Sequence, residues 1–153
     1  MAVLLDVLLT SRPNKGRTIK NRVQIGVSLI ADHNRRMFER PDIVQYYGDD
    51  DRLTPAEVQI FGHRASYVGK RVLDLGVGGG RTTRHLAASS GNYVGVDYSA
   101  AMVAYCRQRF PQYRFEHVDA RDLADFAAGA FDFVLFSFNG IDFVDHADRA
   151  RAA

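Results

Sequence analysis

The sequence predicts an α/β fold, a doubly wound parallel sheet preceded by a helical leader, and three observations carry that expectation. From Gly69 onward, short apolar runs alternate with amphipathic stretches, the pattern of repeated strand–helix units. One of those runs, Val72-Leu73-Asp74-Leu75, enters the glycine-rich turn Gly76-Val77-Gly78-Gly79-Gly80, which opens a helix. Before Gly69 the apolar residues follow helical spacing instead. The chain thus divides into a leader over 1–68 and an α/β unit over 69–153.

The leader is helical by spacing in Val23 to Phe38, Ile43 to Tyr47 and Ala56 to Ala65. Pro41 and Pro55 sit where helices begin, and Thr54 is placed to cap the second of them. Met1 to Leu9 is apolar, but Asp6 interrupts it and no positive segment precedes it, which argues against a signal peptide. No later apolar stretch is long enough to span a bilayer, so a soluble, cytoplasmic protein is the expectation. Arg12, Lys15, Arg17, Lys20 and Arg22 form a run without an acidic residue. The favoured reading is a solvated, partly disordered segment broken by Pro13 and Gly16; the alternative is a basic arm that touches phosphates. The formal charge of +2 is too small to argue for nucleic acid by itself.

In the second unit, Arg71 to Leu75, Tyr93 to Val96, Tyr113 to Val118 and Phe131 to Phe136 read as strands. Arg81 to Ser89, Ser99 to Phe110 and Leu123 to Phe126 read as the intervening helices. Cys106, the single cysteine, falls on the second of these as a buried thiol and excludes an intramolecular disulfide.

Glycines in the turn permit positive φ and close approach of a ligand to the backbone. A nicotinamide or flavin fingerprint would require glycine where Arg81 stands, and no Gly-Lys-Ser/Thr follows to make a P-loop. The spacing present is Asp74-x-Gly76-x-Gly78-x-Gly80. A carboxylate ahead of the glycines disfavours a pyrophosphate and favours an ammonium group. Asp97 ends the second strand beside this turn, where it can accept both hydroxyls of a ribose or cap the next helix. Asp119 follows the third strand and suits an exocyclic amine such as that of adenine, with helix capping as its alternative. Ser137-Phe138-Asn139-Gly140-Ile141 follows the fourth. His33, His63, His85, His117 and His146 have no metal-ligand spacing, and no metal is expected. Among them His146 is the candidate acceptor-side base, since it lies beyond the fourth strand; no catalytic residue is assigned.

Asp74 to Thr83, Tyr93 to Ser99, Met102, Asp119-Ala120 and Phe131-Asp132 to Asp142 together resemble the class I S-adenosylmethionine-dependent methyltransferases, over about half of the chain. The resemblance implies a Rossmann-like sheet in strand order 3-2-1-4, with S-adenosylmethionine lying over the strand ends. It implies Gly76, Gly78 and Gly80 beside the methionine moiety, Asp74 near its amino group, Asp97 at the ribose and Asp119 at the adenine. Arg81 is placed to pair with the cofactor carboxylate or, alternatively, to stand exposed in the first turn of its helix. Tyr47 resembles the tyrosine that covers the methionine end, with Tyr46 as its competitor.

Members of that family usually carry three further strands, which help to build the acceptor pocket. The sheet is therefore expected to be incomplete, with the apolar fourth strand at an edge. Three accounts are open: a fragment of a longer protein, a truncated gene product, or a chain completed at that edge by a partner or a second copy; carboxyl-terminal truncation is the favoured one. The expected activity is methyl transfer to a small-molecule acceptor. A cofactor-binding module without turnover, or an RNA methyltransferase that uses the basic arm, are the competing expectations.

Overall fold

A computed structural model gives the structure of the chain and describes residues 33–138, 140 and 144. Among the described residues three helices come first: α1, described over 33–38, α2 (Pro41–Asp49) and α3 (Pro55–Gly62). A single 3-10 turn leads into β1 (Arg71–Leu75), followed by α4 (Thr83–Leu86), β2 (Asn92–Asp97), α5 (Ala100–Arg109), β3 (Arg114–His117) and β4 (Phe133–Phe136). Met1 to Leu9, the basic run Arg12 to Arg22 and His146 lie outside the described residues.

The sheet has the expected order, β3-β2-β1-β4, with every pair parallel. The pleat sends alternate residues of β1 to opposite faces. Val72 joins Phe61, Tyr67, Leu86, Tyr93, Val103 and Phe115 on one side. Leu73 and Leu75 join Val94 and Val96 on the other, against Val118, Leu123, Phe126, Phe131 and Phe136. Helices α3, α4 and α5 supply the first layer, whereas an irregular segment between β3 and β4 covers the second face.

That segment is the site of one correction, because the helix expected over Leu123–Phe126 is a series of turns. Asp119 accepts from the backbone N–H of Arg121, and Asp122 from that of Ala124. Short carboxylates that take local N–H groups in this way compete with the helical ladder. A second correction concerns Arg81–Ser89, which contracts to α4. Thr82 turns its hydroxyl to Asp74 instead of capping, and the carbonyl of Ser89 accepts from the N–H of Gly69. Among the described residues β4 pairs with β1 alone, and Val134 is 46% exposed. No helix among the described residues is long and apolar enough to cross a membrane.

The described part of the leader is anchored to the α/β unit by polar groups at helix ends. Both helix-starting prolines occupy their first turns, where no N–H is missed. Ser99 caps α5, and its hydroxyl donates to the carbonyl of Phe38 at 3.0 Å. Glu39 accepts from the N–H groups of Ala100 and Ala101, at 2.8 and 3.1 Å. A carboxylate suits the positive end of α5. Phe38, Val44 and Met102 pack together beneath these contacts. Arg109 donates to the carbonyls of Gly48 and Gly79, joining the end of α2 to the glycine turn.

The approach of α2 to that turn leaves no room for a side chain. A Cβ on Gly79 would lie 2.4 Å from the Tyr47 carbonyl oxygen and 2.5 Å from the Gly48 nitrogen, both backbone atoms. Gly79→Ala is therefore expected to lower the unfolding free energy by roughly 1–3 kcal/mol. Gly62→Ala, where a Cβ meets nothing within 4 Å, should change it by less than about 1 kcal/mol. Urea denaturation of the two variants beside the wild type checks both values.

Candidate functional site

The parallel register brings the four strand ends within one residue of the same level. Leu75 lies opposite Val96 on one side and Phe136 on the other, and Asp97 lies opposite His117. A cavity of about 230 Å³ sits over these ends. Gly76 and Gly78 line it from β1, Asp97 and Tyr98 from β2, Val118 to Arg121 from β3, and Phe136 to Phe138 from β4. Phe38 of α1 and Tyr47 of α2 close it from the leader.

Asp97 is the polar centre of this wall. It is 6% exposed, and its Oδ2 accepts from the N–H of Gly78 at 2.9 Å while Oδ1 accepts from that of Ser99 at 2.9 Å. Burial raises its carboxyl above the ordinary range, and the two backbone N–H groups oppose that rise. Each oxygen retains acceptor capacity beyond these single bonds. Asp97 does not cap α5; Ser99 does.

Gly78 holds φ at 53°, and a Cβ there would come within 3.9 Å of the Tyr47 ring, inside the cavity that both residues line. Glycine thus leaves the backbone open to a ligand at this point. Tyr47 is partly buried and its phenol is raised by burial, whereas Tyr46 is 61% exposed and does not line the cavity. The hydroxyl of Tyr98 is buried without a hydrogen-bond partner among the described residues.

Asp119 reaches the wall with both oxygens engaged by Arg121, through Nε at 2.9 Å and Nη2 at 2.6 Å. That side-chain pairing holds its carboxyl below the ordinary range. No helix follows for it to cap. Arg81 also lines the cavity, yet it is 9% exposed and bound to Glu57, so it is not an exposed first-turn residue.

Two of the expected residues are not brought to the cavity. Asp74 is 1% exposed, and its Oδ2 accepts from Thr82 at 2.6 Å and Tyr93 at 2.8 Å. Tyr93 in turn shares a 2.8 Å hydrogen bond with Thr83. The pleat puts Asp74 on the same face as Val72, so its carboxyl belongs to the interior beneath the turn. Gly80 also lies behind the wall, where the Phe110 ring and the Cys106 sulfur occupy the space around its Cβ position.

Sequence reasoning missed Glu57 and Glu39. Polar residues on amphipathic helices read as solvated faces, and only packing shows that these two grip backbone and arginine groups. One signal was available for Glu57: Thr54-Pro55-Ala56-Glu57 has capping-box spacing. Among the described residues no group of His, Cys, Asp and Glu could hold a metal ion.

A family model described as a methyltransferase domain matches residues 72–153, and the chain belongs to that family. It is 32% identical over 115 residues to a demethylmenaquinone methyltransferase of Clavibacter sepedonicus, covering 73% of this chain and 45% of the relative. It is 35% identical over 95 residues to dTDP-3-amino-3,6-dideoxy-alpha-D-glucopyranose N,N-dimethyltransferase of Streptomyces fradiae, covering 61% and 37%. The chain therefore matches less than half the length of these relatives. Among solved structures, YcgJ from Bacillus aligns with a TM-score of 0.55 at 23% identity, over 62% of this chain and 42% of that one. CalS10, an amino pentose methyltransferase from Micromonospora solved with S-adenosylmethionine bound, aligns with a TM-score of 0.51 at 22% identity, over 93% and 51%. These two share the fold.

Asp74 gives the site's support a pH signature. Complete burial pushes its carboxyl up to about 6 against the hydrogen bonds of Thr82 and Tyr93. An acid raised on folding stabilises the native state below its unfolded value near 3.8, and that contribution is lost as pH rises through about 6. Asp74→Asn, which does not titrate, is expected to gain stability relative to wild type, by on the order of 2 kcal/mol as pH rises from about 4 to about 7. Denaturation midpoints at stepped pH measure it; a constant difference between the two proteins would contradict the assignment.

Proposed function

We propose that the cavity binds S-adenosylmethionine and that the chain is the cofactor-binding part of a methyltransferase acting on a small molecule. The observation that carries this reading is Asp97, a buried carboxylate at the carboxyl end of β2, fixed by the N–H of Gly78 and lining the cavity. A carboxylate held there suits the paired hydroxyls of a ribose.

The remaining wall fits the rest of such a molecule. Gly76 and Gly78 leave the backbone accessible for the methionine moiety, and Tyr47 covers that end. Asp119 is the acceptor assigned to the adenine amine. Arg81 is assigned to the methionine carboxylate. Asp74 and Gly80 act from behind the wall by shaping the turn.

S-adenosylmethionine supplies a methyl group on a sulfonium, so no nucleophilic side chain is required of the protein. The chain's own work is to bind, to orient and to exclude water. The small-molecule class is supported by the relatives, whose names specify a quinone precursor and an amino sugar. A cytoplasmic location is consistent with the single thiol, Cys106, which is buried and unpaired.

Calorimetry with the purified chain tests the reading. Saturable binding of S-adenosylmethionine is expected, Asp97→Ala should weaken it at least about 100-fold through loss of two charge-assisted hydrogen bonds, and a nicotinamide dinucleotide should not compete. Absence of binding by the folded wild-type chain would overturn it.

A further inference from the structure

Glu57 has no role in the site as proposed so far, yet it is among the most buried charged groups described, at 1% exposure. Its carboxylate accepts from three separate segments. The N–H of Thr54 donates at 2.7 Å, Arg81 donates through Nη1 at 2.6 Å and Nη2 at 2.7 Å, and the hydroxyl of Ser137 completes the set. Burial works against the ionised form, but these partners outweigh it and hold the carboxyl at about 2. A buried ion pair is seldom a better stabiliser than apolar packing of the same volume. Its value here lies in what it holds still.

What it holds is the guanidinium of Arg81. Glu57 takes the end-on fork of Nη1 and Nη2, the carbonyl of Arg52 accepts the other Nη1 proton at 2.9 Å, and the ring of Phe138 lies 4.5 Å from the guanidinium carbon. The protons left over are that of Nε and the second on Nη2. They lie along the side edge of the same plane, a second fork that matches a carboxylate. The same side-edge geometry serves Arg121 on Asp119 and Arg71 on Asp132 elsewhere in the chain. At Arg81 that edge has no partner among the described residues, and the residue lines the cavity.

We infer that Glu57 is a positioning residue that grips one edge of Arg81 so that the other edge receives a carboxylate of the bound molecule. This rests on the proposed binding of S-adenosylmethionine, whose methionine carboxylate is then the group received. Lysine at position 81 would keep the charge and lose the fork. Glutamine at position 57 would keep the shape and lose one acceptor and the charge.

Calorimetry with S-adenosylmethionine and with decarboxylated S-adenosylmethionine, which retains the amine and sulfonium, reads the carboxylate alone. Glu57→Gln and Arg81→Lys are each expected to weaken S-adenosylmethionine about tenfold or more, to change the decarboxylated compound by less than about twofold, and to be non-additive when combined. Equal weakening of both compounds, or unchanged affinity for both, overturns the inference while leaving the cofactor reading in place. If circular dichroism shows Glu57→Gln unfolded, Ser137→Ala, which removes one of the four bonds to Glu57, must show the same selectivity at about threefold or the inference fails. No binding of either compound by the folded wild-type chain overturns the cofactor reading and this inference with it.

Discussion

The site depends on one register. Leu75 stands opposite Val96 and Phe136 in a parallel sheet, so the chain leaves β1, β2 and β4 within one residue of the same height. Slipping any pair by one residue would reverse which side chains face each layer, and both layers are filled with apolar groups. The register is therefore enforced by burial on both faces. It is fastened at the far end by Arg71 and Asp132, which exchange backbone and side-chain hydrogen bonds across β1 and the start of β4. That pair is half-exposed and adds little energy. Its contribution is alignment.

A level sheet edge is only a platform until something roofs it. Here the roof is the described part of the leader, held by contacts that are polar where they meet helix ends and apolar between. Glu39 on the start of α5, Ser99 on the Phe38 carbonyl, and Arg109 on the Gly48 carbonyl satisfy backbone groups that helix ends leave unpaired, and Arg109 also takes the carbonyl of Gly79 in the glycine turn. Glu57 does the same for α3 while reaching Arg81 and Ser137. Such groups are costly to strand, so the roof has few alternative seats.

Much of this organisation was legible in the sequence because its signals are local. The strand run from Val72, the glycine turn, Pro41, and Thr54 with Pro55 each act within a few residues, and each marks its element where expected. Asp97 was legible because a residue at the end of a central parallel strand has one place to go. The rest depended on distant partners. Whether Asp74 faced a ligand or the interior turned on Tyr93 and Thr82, which offered it hydroxyls beneath the turn. Gly80 was spaced like its neighbours, but Phe110 filled the volume beside it. The 123–126 stretch had helical spacing too short to outweigh the local pull of Asp119 and Asp122. Glu57 was hidden because the spacing that caps α3 carries no information about an arginine twenty-four residues later.

The distribution of charge around the cavity separates its two acids. Asp119 is neutralised side chain to side chain by Arg121, which lowers its carboxyl and leaves the pair nearly neutral to a ligand. Asp97 has no salt bridge among the described residues; its partners are the backbone N–H groups of Gly78 and Ser99. Those dipoles favour the ionised form without cancelling its charge, and they hold both oxygens in place before anything binds. Burial simultaneously removes the water that would compete for its free lone pairs. A carboxylate in that state has much to gain from two hydroxyl donors and little to lose, since its own fixing bonds need not be broken. The proposed ribose role therefore follows from how Asp97 is held as much as from where it stands. Asp119 differs in charge: Arg121 already neutralises it, so the proposed bond to an adenine amine falls to the one lone pair left on Oδ2 and is the weaker of the two.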